Sequence, residues 1–215
     1  MTRAALEEVA NSVTHGIGLL LSIAGLVVLV TFAAMRSDTW AVVGTSVFGA
    51  SLVLLYLAST LYHSFPWPRV KRVFQILDHS AIYILIAGTY TPFTLGPLRG
   101  PWGWTLFGIL WGLAILGIAI KPFVIRRFAI LSVLVYIAMG WMIVIAAKPV
   151  ITALPMTALV FLLAGGLAYT GGTAFYGWKR LPLNHAVWHL FVLAGSVFHY
   201  FAVWISVIPP ARPGL

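Results

Sequence analysis

The chain has 215 residues, of which 61% are hydrophobic and only 8% are charged. Soluble domains carry roughly 25% charged residues, so this composition excludes an ordinary soluble domain and indicates that the bilayer is the solvent. Thirteen Lys and Arg residues against four Asp and Glu give a net charge of +9. The basic residues stand singly or in pairs between apolar runs, so no nucleic acid partner is expected. Because Cys is absent, His and carboxylates are the expected metal ligands.

The apolar residues fall into seven runs, each close to the roughly 20 residues that a membrane-spanning helix needs. The predicted spans in chain order are 13–34, 41–62, 74–95, 103–120, 128–147, 156–176 and 185–208. The breaks between them are short, so consecutive helices are expected to pack as antiparallel neighbours. We therefore predict an all-α integral membrane protein in which residues 1–215 form a single domain, a seven-transmembrane-helix bundle.

Basic residues in the breaks predict the orientation. Nine belong to the N-terminal side and to the second, fourth and sixth loops: Arg3, Arg69, Lys71, Arg72, Lys121, Arg126, Arg127, Lys179 and Arg180. Four belong to the opposite side: Arg36, Arg99, Lys148 and Arg212. Because cytoplasmic loops are enriched in Lys and Arg, this difference predicts a cytoplasmic N-terminus and a C-terminus outside.

Ionisable residues inside membrane spans are costly and tend to mark function. The candidates are His15, His63, Asp78, His79, His185, His189 and His199. All of them except His199 lie at span ends on the side of the N-terminus. Unrelated residues would scatter over both membrane faces, so we interpret this layer as one polar site near the cytoplasmic face.

Spacing within the layer predicts a metal site. His185 and His189 are four residues apart, so both imidazoles can reach one ion from one helix face. His63 would complete a three-His set, which leaves zinc a fourth position for water. Asp78 could then take a proton from that water or hold it, and Ser59, one turn from His63, could position it. The alternatives are that an isolated His pair only hydrogen-bonds within the bundle and that Ser59 only bonds between helices.

The other three His residues carry weaker predictions. His79 points about 100° away from Asp78 around the helix and is expected to be interfacial or to support the metal ligands. His15 is expected either to make a contact within the bundle or to support the ligands. His199 lies 14 residues beyond His185, about 21 Å along a helix, so it cannot share the ion and is expected to be structural.

Four separated motifs carry a family resemblance. They are Glu8-x-x-Asn11-x-x-Thr14-His15-x-x-Gly18, Ser59-x-x-x-His63, Leu77-Asp78-His79-Ser80 leading to Gly88-Thr89-Tyr90-Thr91-Pro92, and His185-x-x-x-His189. In this order, and over essentially the whole chain, they resemble the progestin and adipoQ receptor (PAQR) family, most closely its bacterial branch, the hemolysin III proteins.

The resemblance implies a seven-helix bundle with the N-terminus inside. It also implies a zinc ion near the cytoplasmic side, held by His63, His185 and His189. Asp78 matches the family's acidic residue that contacts zinc through water, and Ser59 matches the family's site serine. The implied location is the bacterial cytoplasmic membrane, which the protein crosses several times.

Three functions are open at this point. The first is a zinc-dependent intramembrane hydrolase of acyl lipids that contributes to lipid homeostasis, as resemblance to adiponectin receptors and alkaline ceramidases suggests; membrane lipids are then its partners and an acyl lipid its substrate. The second is a membrane regulator or sensor with structural zinc. The third, a pore-forming cytolysin, ranks last, because a secreted toxin must stay soluble before insertion whereas this composition describes a resident membrane protein. No protein partner can be identified from the sequence.

Overall fold

The structure, a computed structural model, describes residues 2–35, 38–124 and 128–208, and the regular elements within these ranges are all helical. The helices in chain order are α1 (Arg3–Met35), α2 (Thr39–Ser64), α3 (Pro68–Leu95), α4 (Pro101–Val124), α5 (Ala129–Gly140), α6 (Ala147–Ala153), α7 (Met156–Gly177) and α8 (Asn184–Val207). A 3₁₀ segment, Trp141–Ala146, joins α5 to α6 in one helical run. The predicted all-α class is confirmed for the described residues.

Within the described ranges, six helical runs are long and apolar enough to cross a membrane. They are Arg3–Met35, Thr39–Ser64, Pro101–Phe123, Ala129–Ala153, Met156–Gly177 and Asn184–Val207. Their outer faces expose large apolar side chains such as Phe123 (84% exposed) and Ile130 (79% exposed). Such a surface suits lipid and would be unfavourable in water.

α3 is also long, with 28 residues, but it does not belong to that apolar set. It packs against α2, α4, α5 and α8. Two of its buried hydroxyls are satisfied within the helix: Thr89 donates to the Leu85 carbonyl at 2.7 Å, and Thr91 donates to the Ala87 carbonyl at 2.8 Å. From Asp78 to Leu95 most side chains of α3 are buried, and a helix segment enclosed by other helices does not need an apolar surface. Because α3 is not among the six apolar helices, the predicted span 74–95 stays a prediction.

Several helices extend past the predicted breaks. α1 begins at Arg3 and α3 at Pro68, well before the predicted starts at residues 13 and 74. α4 continues through Lys121, and α6 includes Lys148, although both lysines were expected in loops. Apolarity marks the part of a helix that lies in lipid, whereas backbone hydrogen bonding continues through polar turns. These helices are therefore longer than the hydrophobic runs from which they were predicted.

Four of the arginines used for the orientation lie outside the described residues: Arg36, Arg126, Arg127 and Arg212. The predicted orientation of the termini therefore stays a prediction.

A tyrosine side chain accounts for the 3₁₀ segment. The Tyr90 hydroxyl donates to the Gly140 carbonyl at 2.7 Å and accepts a hydrogen bond from the Ile143 backbone N–H at 2.9 Å. The hydroxyl thus takes part in the backbone hydrogen-bond ladder of the α5–α6 run. Insertion of a side chain into this ladder is a known cause of local change in helix geometry. The two hydrogen bonds of Tyr90 also connect α3 to the α5–α6 run.

Candidate metal centre

Three imidazoles meet from two distant parts of the chain. His63 lies in the last turn of α2, whereas His185 and His189 lie in the first two turns of α8. One ring nitrogen of each residue lies within 4.8 Å of the other two, a geometry that could hold a metal ion. His63 and His189 are buried and His185 is partly buried. The structure therefore brings together the three predicted ligands, and their role as zinc ligands stays a prediction.

Hydrogen bonds fix the orientation of two of these rings. Nδ1 of His63 lies 2.9 Å from Oε2 of Glu8, and Nδ1 of His189 lies 3.2 Å from the Asn11 carbonyl oxygen. A carbonyl or an ionised carboxylate can only accept, so Nδ1 donates in both cases. Nε2 of each ring is then the atom available to a metal, an arrangement common among metal-binding His residues.

The available nitrogens fit a zinc ion. Nε2 of His63 is buried and has no hydrogen-bond partner among the described residues. A buried polar atom without a partner is unfavourable, and a bound ion would relieve this cost. Three neutral imidazoles are a ligand set that zinc accepts.

Glu8 links the centre to the start of α3. Its Oε2 also accepts a hydrogen bond from Lys71 Nζ at 2.8 Å, and Lys71 donates to the Tyr62 carbonyl at 3.2 Å. Our sequence analysis did not give Glu8 a role, because it precedes the first apolar run. Its spacing to Asn11 and His15, three and seven residues on, was the available signal, since these positions share one helix face.

Asp78 and Ser59 lie beside the three-His group. Both are buried, and both line one cavity together with His185 and His189. Asp78 does not belong to the group of close ligand atoms. Contact with an ion through water, and not directly, is compatible with that position.

The remaining predicted His residues have distinct surroundings. His15 stacks on His189 with ring centroids 3.5 Å apart and 13° between the planes. His79 lines the cavity, lies 3.6 Å from the Asp78 carboxylate and donates through Nδ1 to the Gln75 carbonyl at 2.9 Å. Both are thus neighbours of predicted site residues. Their supporting roles stay predictions.

The cavity is lined by His185 and His189 of the three-His group and extends along α8. Its lining includes His185 near one end and His199 further along the helix; their 14-residue separation corresponds to about 21 Å of helix, more than half of the roughly 30 Å hydrocarbon core of a bilayer. The wall between them is mostly apolar and includes the side chains of Leu85, Ile82, Ile86, Val133, Ile137 and Val192. The space therefore combines a polar end with a long apolar wall.

Lys121 differs most from its predicted position. We counted it among loop residues, but it lies within α4, is only 1% exposed and lines the cavity. Its Nζ lies over the Tyr136 ring, 5.1 Å from the centroid. A break was predicted here because Pro122 follows Lys121. The helix nevertheless continues through both residues and ends at Val124. Without Lys121, the predicted cytoplasmic side has eight basic residues against four, so the sign of the bias is unchanged.

The fold and the site define a class: a multi-pass helical membrane protein with a three-His group, two members of which line a cavity between the helices. The profile of the family described as "Haemolysin-III related" matches residues 3–200. The chain therefore belongs to the hemolysin III family, the bacterial branch of the PAQR family, and the resemblance found in its motifs is confirmed.

Individual relatives agree with this assignment. The chain is 53% identical over 211 residues to Hemolysin-3 of Bacillus cereus, covering 98% of this chain and 96% of the relative. It is 52% identical over 197 residues to the Hemolysin-3 homolog of Bacillus subtilis (strain 168), covering 92% of each. It is also 29% identical over 209 residues to human Monocyte to macrophage differentiation factor, covering 92% of this chain and 83% of the relative. With six long apolar helices in the part of the chain that the structure describes, the protein is a multi-pass bacterial membrane protein.

Proposed function

We propose that this protein is a zinc-dependent intramembrane hydrolase of acyl lipids that contributes to membrane lipid homeostasis. The observation that carries the proposal is the three-His group beside a cavity that also contains Asp78 and Ser59. The group found among the described residues supplies three protein ligands and no fourth. Structural zinc sites have four protein ligands, whereas catalytic sites keep one position for water or substrate. The ligand count therefore favours catalysis over the alternative of a regulator with structural zinc.

Each part of the cavity has a chemical task in this proposal. Zinc held by His63, His185 and His189 would supply Lewis-acid activation of a carbonyl and of water. The Asp78 carboxylate accepts a proton from the attacking water and returns it to the leaving amine or alcohol. The Ser59 hydroxyl donates a hydrogen bond to the carbonyl oxygen as negative charge develops there. The apolar wall binds the acyl chain and keeps bulk water out.

The test compares two aspartates. Purified protein loaded with zinc is incubated with long-chain amides and esters, and product release is measured. Asp78→Asn is expected to lower the rate at least 100-fold with the zinc content unchanged, because it removes the base and not a ligand. Asp38→Asn is the matched control: Asp38 caps α2 by accepting from the Trp40 and Ala41 N–H groups, which an amide oxygen can also do. A folded, zinc-loaded wild type that releases no product would contradict the enzyme and favour the regulator.

We also propose that α3 is the seventh membrane crossing and that the N-terminus is cytoplasmic. The support is the enclosure of α3 among other helices, which makes an apolar surface unnecessary, and the excess of basic residues on one side. Seven crossings put the termini on opposite sides. A C-terminal alkaline phosphatase fusion should therefore be active and a C-terminal GFP fusion dark. The reverse pair of results would contradict the proposed topology.

The names of the Bacillus relatives suggest a second candidate, a pore-forming cytolysin. Dye release from liposomes by the purified protein measures this activity. If it is real and independent of the metal site, its potency should be the same in wild type and in His185→Ala plus His189→Ala. An absence of release at all protein concentrations would eliminate it.

A further inference from the structure

Lys121 is a buried charge that the proposed hydrolysis does not use. It shares the lining of the cavity with Asp78 and His185 and is almost completely enclosed. The chain has four carboxylate side chains, all in described residues, and none of them forms an ion pair with Lys121. Glu8 instead bonds to Lys71 and His63.

The Asp78 carboxylate attracts Lys121 but makes no direct ion pair with it, so the charge of Lys121 is compensated only in part. The Nζ atom of Lys121 faces the Tyr136 ring, and the Tyr136 hydroxyl is already engaged with the His79 carbonyl at 2.8 Å. A cation over an aromatic ring is less stabilised than one paired with an anion. Burying a charge without an ion pair costs free energy, and this cost falls when an anion enters the same space.

The shape and polarity of the cavity define what that anion would be attached to. Lys121 lies near Asp78 and His79 in this cavity, and the lining also includes apolar side chains and, further along α8, His199. The complementary molecule has a negative charge at one end and a long hydrocarbon chain. We propose that Lys121 anchors the anionic end of an acyl lipid, a carboxylate or a phosphate, whose chain lies along the apolar wall. The inference rests on the proposed function for its ligand class, but it concerns binding and does not require turnover.

Three probes with the same chain length test the anchor: dodecanoate, dodecyl phosphate and dodecanol. Binding is measured on the full-length protein with its metal. The wild type is expected to bind at least one anion about 10- to 100-fold more tightly than the alcohol, because hydrogen bonds to charged groups are stronger than neutral ones. The tighter of the two anions tells whether the headgroup is a carboxylate or a phosphate.

Variants separate Lys121 from the metal as the binding group. Lys121→Met is expected to lose the preference for the anions while it keeps its affinity for dodecanol and its metal content. Lys121→Arg is expected to keep the preference. Lys179→Met is the matched control, because Lys179 also lies over a tyrosine ring, 4.6 Å from the Tyr176 centroid, but it is exposed. If the metal alone held the anion, Lys121→Met would bind the anions as the wild type does, and the inference would be overturned.

Thermal unfolding gives a second readout. Ligand-free Lys121→Met is expected to unfold at the same or a higher temperature than the wild type, because a buried charge without a direct ion pair is replaced by an apolar side chain. The bound anion should stabilise the wild type and not this variant. A large loss of stability in the ligand-free variant would assign Lys121 a structural role and overturn the inference. An intact anion preference in a protein that hydrolyses no acyl lipid would overturn the proposed function alone.

Discussion

Two His residues ten positions apart on α8 have opposite surroundings. Nδ1 of His189 donates to the Asn11 carbonyl of another helix, and its ring lies 4.6 Å from the His185 ring and 5.1 Å from the His63 ring, between centroids. Nδ1 of His199 donates to the Gly195 carbonyl of its own helix at 2.8 Å, and its ring stacks on Tyr169.

The difference between these surroundings explains why one buried His is available to a ligand and the other is not. His189 is held by another helix, so that its second nitrogen faces two further imidazoles. The i to i−4 bond of His199 satisfies it within one turn, in the manner of buried hydroxyls in helices. The neighbours of a buried His, more than its burial, separate a candidate ligand from a packing residue.

The largest expected effect is the loss of the metal when His residues of the three-His group are replaced. His185→Ala plus His189→Ala should lower the zinc content of the purified protein from about one ion per chain to almost none, because a single imidazole does not hold zinc. His199→Ala should retain the ion. Metal analysis of both proteins after identical purification provides the measurement. An unchanged zinc content in the double variant would disprove the site.

A smaller effect is expected from the acceptor that orients His63. Glu8→Gln should weaken zinc binding about 10- to 100-fold, because a neutral amide oxygen is a weaker acceptor than a carboxylate and leaves the ligand ring less basic. Glu7→Gln is the control: Glu7 is the adjacent residue, whereas Glu8 makes the contact with His63. Competition with a chelator of known affinity measures the change. Equal affinities of the two variants would show that the Glu8 contact does not matter to the ion.

The smallest effect concerns the part of the cavity away from the metal. Tyr90→Phe removes the hydroxyl that bonds Gly140 and Ile143, and it should lower the free energy of unfolding by about 1–3 kcal/mol. Tyr200→Phe is the control, because its hydroxyl makes only a long 3.4 Å contact with the Gly25 carbonyl. Thermal unfolding in detergent measures both, and the zinc content should not change in either. Equal stability of the two variants would mean that the Tyr90 bonds contribute little.

The helices were largely predictable from the sequence. A chain in lipid must satisfy its backbone hydrogen bonds within each span, so long apolar runs have few alternatives to a helix. The helix ends were less predictable, because polar turns outside the lipid leave no apolar signal. α3 shows the limit of this reasoning: its enclosure by other helices, which the composition does not report, removes the need for an apolar surface. The single-domain prediction stays a prediction.

The site was predictable where its spacing is local. His185 and His189 share a helix face by their separation alone, and His63 joined them because it lies at a span end on the same side. Glu8 and Lys121 were not assigned roles, since polar residues next to a span resemble ordinary loop residues. Tyr90 could not be connected with Gly140 either, because only the packing of two distant helices brings them together.

The position of the three ligands along the chain sets the order of events during synthesis. His63 is made early, whereas His185 and His189 belong to the last described helix. Until α8 has entered the membrane, the early part of the chain offers only one of the three imidazoles. Any metal that this group holds is therefore bound late in synthesis, and its binding would require that α2 and α8 have already packed together.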